Sequence, residues 1–247
     1  LLKNLTFIFE GMTMNNKNNS PTIKLKSLFV SSAIYLMSGA AWADILINEV
    51  DADQTSTDTA EFIELTDGGA GNTDLSGINI VLINGSNDSI YKVINLDGQT
   101  TSPTGYFVVC GNSETTENCD LDVSPNSNLI QNGADAIAII SGDFTIDTPI
   151  TSDNLIDALV YDTNDSDDAV LLSLLTPGQP QVNEDGTIDK DIESNQRCAD
   201  STGGAFNTSV YEQHLPTPGE YNLCGGEPVV DIVINEVDAD QTSTDSA

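Results

Sequence analysis

The sequence predicts an all-β protein whose strands form a sandwich or a barrel. Short runs rich in Ile, Val, Tyr and Phe recur along the chain, each bounded by Gly, Asn, Asp, Pro or Ser. No long stretch shows the 3.6-residue periodicity and the caps of a helix. Many short strands separated by frequent turn signals are typical of β-sandwiches and barrels.

Seven runs are predicted as strands. In chain order they are ILINEV (45–50), EFIEL (61–65), INIVLIN (78–84), SIYKVINL (89–96), GYFVVC (105–110), DAIAIIS (135–141) and LIDALVY (155–161). The turn GSND (85–88) joins the third and fourth runs as a hairpin. Alternation within EFIEL directs Ile63 and Leu65 to the core, and Phe62 and Glu64 to the opposite face.

The later part of the chain is predicted to be less regular. DDAVLLSLL (167–175) is the best candidate for a short helix. The turn-rich stretch 176–224 is expected to wrap around the sandwich, and GGEP opens a linker over 225–230.

Residues 1–43 are predicted to be a leader with a bacterial Sec-type signal peptide. Lys17, Lys24 and Lys26 precede the apolar run LFVSSAIYLM (28–37), and AWA (41–43) has the small-x-small form of a cleavage site. The expected start is Met14, and cleavage after Ala43 would make the protein secreted or extracellular. The apolar run is too short for a transmembrane segment, which needs about 20 residues.

One acidic phrase occurs twice. DILINEVDADQTSTDTA (44–60) returns as DIVINEVDADQTSTDSA (231–247), with fifteen of seventeen positions identical. We therefore expect a domain over 44–224 and a truncated second copy over 231–247. On this hypothesis the sequence is a fragment, and the domain is a tandem repeat tethered to further domains of the same chain.

The chain is strongly acidic after the predicted cleavage site. Residues 44–247 hold 38 acidic residues against Lys92, Lys190 and Arg197, a formal net charge of −35. Such a surface repels phosphate backbones, so we expect no direct nucleic-acid binding. It attracts cations and basic partners.

Four cysteines remain after cleavage: Cys110, Cys119, Cys198 and Cys224. Export makes disulfides the default. Three connectivities are possible, and the local pairs Cys110–Cys119 and Cys198–Cys224 are favoured. Zinc is the competing interpretation, but CxxC-like spacing is missing and His214 is the single histidine.

Asp51, Asp53, Asp58 and Glu61 lie between the first two predicted strands and are candidate Ca²⁺ ligands. Their spacing does not fit an EF-hand, and a solvated loop is the alternative. NEDGTIDKD (183–191) has a similarly weak calcium-loop character. No other cofactor is expected.

No motif for catalysis is found. A hydrolase needs a nucleophile with a positioned base, and His214 has no recognisable nucleophile motif near it. A surface or packing role is expected for this histidine. A pair of carboxylates brought together by the fold stays open, and no catalytic residue is assigned.

Several motifs in sequence resemble the lamin tail domain family of secreted bacterial proteins. They are INEV, EFIEL, DLSGINIVLING (74–85), GYFVVCGN (105–112), NLIQNGADAIAI (128–139), SNQRCAD (194–200) and PTPGEYN (216–222). The resemblance covers 44–224 and implies an immunoglobulin-like β-sandwich. The long acidic region 141–193 departs from the family pattern.

The expected function is that of a secreted, non-catalytic binding or positioning module, repeated in tandem, with an extracellular or cell-surface ligand. Bacterial proteins of this kind often join the domain to an endonuclease/exonuclease/phosphatase-type catalytic domain. The alternative is therefore an accessory region of a secreted nuclease whose catalytic domain lies beyond Ala247.

Overall fold

The structure is a computed structural model that describes residues 45–142, 144–186 and 189–225. The predicted leader (1–43), the linker after Gly225 and the second copy (231–247) lie outside the described residues. Within the described ranges, no helix is both long enough and apolar enough to cross a membrane.

Two β-sheets, one short α-helix and two 3₁₀ helices (Glu184–Gly186 and Thr208–Val210) make up the described fold. The strands and the helix are β1 Leu46–Asp51, β2 Phe62–Thr66, β3 Ile78–Asn84, β4 Ser89–Asn95, β5 Tyr106–Cys110, β6 Leu121–Asp122, β7 Asp135–Ser141, β8 Leu155–Asp162, α1 Ala169–Leu175, β9 Val182–Asn183, β10 Ser194–Arg197 and β11 Tyr211–His214.

Sheet 1 has the order β11-β10-β1-β2-β5-β6, and sheet 2 has the order β4-β3-β7-β8-β9. Neighbouring strands are antiparallel except for β6 and β9, which pair in parallel with β5 and β8. The seven predicted strands, the hairpin at 85–88 and the short helix are confirmed. The first copy of the acidic phrase forms β1 and the loop that leads into β2.

The stretch 176–224, expected to wrap around the sandwich, also supplies strands to its sheets. β10 pairs with β1 in sheet 1, and β11 pairs with β10. The sequence of β10 is SNQR, and all four of its side chains are buried. Because the buried side chains of this strand are polar, apolar and polar residues do not alternate along it. The two-residue period that marks a half-buried strand is therefore missing from its sequence.

The main core lies between the sheets. Ile63 and Leu65 of sheet 1 and Ile80 and Ile137 of sheet 2 belong to this cluster, as predicted for the first two. A second cluster covers the outer face of sheet 2, where the other side chains of the same strands pack. Burial on both faces explains why the central strands INIVLIN and DAIAIIS are apolar at successive positions.

Helix α1 covers part of this outer face. The Asp168 carboxylate accepts hydrogen bonds from the backbone NH groups of Val170 and Leu171, at 2.8 and 2.9 Å, and so caps the helix. Leu171 and Leu175, one turn apart, are buried in the second cluster.

Candidate functional site

The acidic loop between β1 and β2 is organised by Gln54. The Gln54 side-chain NH₂ donates to Asp51 Oδ1 at 2.6 Å, and its backbone NH donates to Asp58 Oδ1 at 2.9 Å. Its amide oxygen accepts from the NH of Ala60 at 3.0 Å. Asp58 Oδ2 accepts from the Asn132 amide at 3.0 Å. The loop is therefore held by its own polar side chains.

Glu61 and Asp53 have separate partners. The two oxygens of Glu61 accept from the backbone NH groups of Leu129 and Ile130, at 2.7 and 2.8 Å. Burial raises the pKa of Glu61 to about 7, although these hydrogen bonds oppose the shift. Asp53 forms an ion pair with Lys190.

The four predicted calcium ligands do not converge. In the described parts of the chain, three potential ligand side chains come within 4.8 Å of one another only at Cys198, Glu212 and His214. The calcium hypothesis stays a prediction. What the structure describes is a loop with an exposed tip, whose four buried carboxylates each have their own partners.

The second candidate calcium loop docks onto the first. Glu184 is fully buried, and its Oε1 accepts from the backbone NH of Ala52 at 3.0 Å. Its other oxygen has no hydrogen-bond partner among the described residues. Burial raises the pKa of Glu184 well above its usual range, and the nearby charge of Asp51 adds to this. The two acidic segments are therefore in contact through the buried Glu184.

A cleft of about 400 Å³ opens at the end of β1. We call it the acidic cleft. The carboxylates among its described lining residues are Asp51, Glu117 and Asp191, and no Lys, Arg or His lines it. The ammonium of Lys190 lies beside it and contacts Asp191 at 2.7 Å. Ile192 is half exposed (47 %) and adds an apolar wall.

Two polar groups that line the acidic cleft are almost fully buried, Asp51 and Thr116. Burial raises the pKa of Asp51 well above its usual range; the Gln54 hydrogen bond opposes this, and the charges of Glu49, Glu61 and Asp58 reinforce it. A cation beside Asp51 would favour its charged form. The hydroxyl of Thr116, a residue only 5 % exposed, has no partner among the described residues.

The C-terminal segment (215–224) covers the outer face of sheet 1 by binding two buried carboxylates. Glu49 accepts hydrogen bonds from the backbone NH and the hydroxyl of Thr217, at 2.8 and 2.9 Å. Glu64 accepts from the NH of Gly219 at 2.6 Å. Both glutamates are fully buried. Glu49 of the INEV motif and Glu64 of the EFIEL motif thereby hold the PTPGEYN motif (216–222) in place.

Two asparagines extend this network. The Asn48 amide donates to Glu64 at 2.7 Å and to Asp200 at 2.9 Å, and the Asn222 amide donates to the carbonyl of Asn48 at 3.2 Å. Burial raises the pKa of Glu49 to about 7 against the opposing hydrogen bonds, and raises that of Glu64 well above its usual range.

Arg197 joins the two sheets. Its guanidinium lies 3.1 Å from Asp157 of β8, and both side chains are almost fully buried (1 % and 0 %). The guanidinium also donates to the carbonyl of Ile47 at 2.9 Å and lies 5.0 Å from the Tyr211 ring centroid. Burial raises the pKa of Asp157, and the positive charge of Arg197 opposes this shift.

Both favoured disulfides are present, Cys110–Cys119 and Cys198–Cys224. The second lies beside His214, whose Nε2 is 3.1 Å from the Glu212 carboxylate. This arrangement was not predicted from the sequence. Neither residue neighbours a cysteine in sequence, and only the pairing of β10 with β11 brings them together.

Comparison of the chain with protein-family models, with curated proteins and with solved structures gave no match. The resemblance to lamin tail domains therefore stays a prediction that depends on the sequence motifs.

Proposed function

We propose that residues 44–224 form a secreted, non-catalytic binding and positioning module of the lamin tail type, with an immunoglobulin-like sandwich. The sequence motifs support this family, since their polar residues tie the C-terminal segment to sheet 1. Two disulfides support function in an oxidising compartment outside the cell. A sandwich closed in this way is a rigid support on which loops can present a binding surface.

The acidic cleft is the observation that carries the binding role. Its carboxylates and the unpartnered Thr116 hydroxyl suit a protonated amine or a guanidinium. Phe62, Ile192 and two prolines of the C-terminal segment offer apolar surface for the stem of such a group. The ligand we propose is therefore a lysine or arginine side chain of a basic extracellular partner.

Repetition supports a role in holding a partner. The second copy repeats Asp51 and Gln54 of the cleft as Asp238 and Gln241. Two weak sites on one chain bind a multivalent partner more tightly through effective concentration, without any new contact.

Isothermal titration calorimetry with a lysine-rich peptide tests the proposal, with a glutamate-rich peptide of equal length as control. The lysine-rich peptide should bind, and its affinity should fall with added salt. Asp51→Asn should weaken binding at least about tenfold, because a hydrogen bond to a charged group contributes about 1.5–3 kcal/mol. Thr116→Val keeps the side-chain shape and should also weaken binding.

Asp153→Asn is the matched control, since Asp153 is exposed and lies outside the cleft. It makes the same change of charge and should leave the affinity unaltered. Equal affinities for the Asp51 and Asp153 variants, with no loss for Thr116→Val, would show that the peptide responds only to the overall charge. That result would remove the cleft from the proposal.

A further inference from the structure

Four side chains of types that can bind a metal lie close together where β10 ends beside β11. The backbone NH of Cys198 donates to the carbonyl of Val210 at 2.8 Å, which continues the pairing of the two strands. Glu212 and His214 are two residues apart on β11 and so share a face. Cys198 Sγ, a Glu212 oxygen and a His214 nitrogen lie within 4.8 Å of one another, and Cys224 is bonded to Cys198.

We infer that this disulfide occupies a Zn²⁺ site that becomes available on reduction. A dithiol reductant supplies two electrons and two protons, breaks the Cys198–Cys224 bond and leaves as its own disulfide. Each thiol then loses one proton when it binds the metal. The two thiolates, a neutral His214 nitrogen and a Glu212 oxygen form the four-ligand set.

This donor set suits zinc. Two sulfurs, one nitrogen and one oxygen match a borderline-soft ion that prefers four tetrahedral ligands. Zinc–ligand bonds of about 2.0–2.3 Å place neighbouring ligand atoms about 3.3–3.8 Å apart in a tetrahedron. The ligand atoms of Cys198, Glu212 and His214 now lie within 4.8 Å of one another, so they need to approach by only a small distance. Cys198, His214 and Cys224 are partly exposed and Glu212 is exposed, so a dissolved ion can reach them.

The backbone around the site is held independently of the disulfide. The register of β10 and β11 pairs Arg197 with Tyr211, which fixes the position of the next residue, Cys198. On the other side, the Asn222 amide donates to the carbonyl of Arg197 at 2.9 Å, and the NH of Leu223 donates to Gln196 at 2.9 Å. Cys224 therefore stays near Cys198 when the covalent bond is broken.

The other disulfide is an internal control. Reduction of Cys110–Cys119 also frees two thiols, but these belong to no three-ligand group in the described ranges. Cys110 is fully buried beside Phe62 and Val108. It is therefore shielded from an ion in solution.

The test uses the full chain, reduced with dithiothreitol and freed of it by gel filtration without oxygen. Zn²⁺ is titrated against a chromophoric chelator, and Co²⁺ reports thiolate ligation through its charge-transfer absorption. The reduced chain should bind one ion with the spectrum of a tetrahedral sulfur-containing site, and the oxidised chain should show no such spectrum. Cys198→Ser/Cys224→Ser should abolish this binding, although the Cys110 and Cys119 thiols remain.

The variants His214→Gln and Glu212→Gln test whether zinc is bound by the four-ligand site or only by the free thiols. Each should weaken zinc binding at least about tenfold. Removing a residue that only hydrogen-bonds to a metal ligand already lowers metal affinity by about tenfold or more, and these two residues are ligands themselves. Unchanged affinity in both variants would overturn the inference. Far-ultraviolet circular dichroism follows the fold in parallel. A reduced chain that is unfolded and stays unfolded with Zn²⁺ would overturn it as well.

Discussion

Asp157→Asn should be among the most damaging single-atom changes in the protein. The Asp157 carboxylate accepts four hydrogen bonds: from the NH groups of Ile47, Ala158 and Phe206 at 2.9, 2.9 and 2.6 Å, and from Arg197 at 3.1 Å. An amide keeps only one acceptor atom, so its NH₂ must face two buried donors. The substitution also leaves the buried guanidinium without a countercharge.

Removing one partner of a buried ion pair costs about 3–5 kcal/mol. For a chain of this length, that corresponds to a fall in Tm of about 6–20 °C. Urea unfolding followed by circular dichroism gives the free energy directly. Residues 44–247 contain no tryptophan, so fluorescence would depend on tyrosine.

The exposed Asp153 provides the control for the loss of charge. Asp153→Asn should change the free energy of unfolding by less than about 0.5 kcal/mol. Arg197→Met, combined with Asp157→Asn, should cost less than the two single changes added together, because each alone breaks the same pair. A loss below about 1 kcal/mol for Asp157→Asn, in a protein that still folds, would refute the claim that this pair ties the sheets.

Four further predictions concern the pH dependence of stability, backbone strain, calcium and DNA cleavage. Burial raises the pKa of Glu49 from 4.5 to about 7, so its contribution to stability is present below pH 4.5 and lost as the pH rises to 7. Glu49→Gln should therefore gain about 3 kcal/mol over the parent across that window in urea titrations, and parallel pH profiles would contradict this. Gly105→Ala should cost about 1–3 kcal/mol, because φ is +97° and a Cβ would lie 2.4 Å from Asp67 Oδ1; Gly98→Ala, where nothing lies within 4 Å, should cost less. Calcium at about 1 mM should leave Tm unchanged, and the full chain should not cleave DNA with Mg²⁺ or Ca²⁺; binding heat or cleavage after stringent purification would reverse these expectations.

The apolar strands were predictable because their signal is local. INIVLIN and DAIAIIS carry continuous apolar runs, since both faces of sheet 2 are buried, and the flanking glycines and asparagines mark their ends. The burial of Ile63 and Leu65 followed from alternation in EFIEL. Glu64 gave no such signal. It alternates like a solvent-facing residue, and it is buried only because the C-terminal segment returns to cover it.

The candidate sites, too, were only partly predictable from the sequence. The sequence placed Asp51 in an acidic loop, but the Thr116 hydroxyl and Ile192 that share its cleft come from distant parts of the chain. His214 was identified as the single histidine, without any indication that it lies beside Cys198.

The sequence alone determined that seven segments are extended, where the hairpin at 85–88 turns, and which local cysteine pairs could close. Those features depend on residue type and short-range period, which any single stretch displays. Only the tertiary structure decided that Arg197 meets Asp157, that Glu49 is buried, and that a disulfide lies beside Glu212 and His214. The physical reason is that these groups are brought together by the path of the chain, and a buried polar residue has the same local sequence pattern as an exposed one.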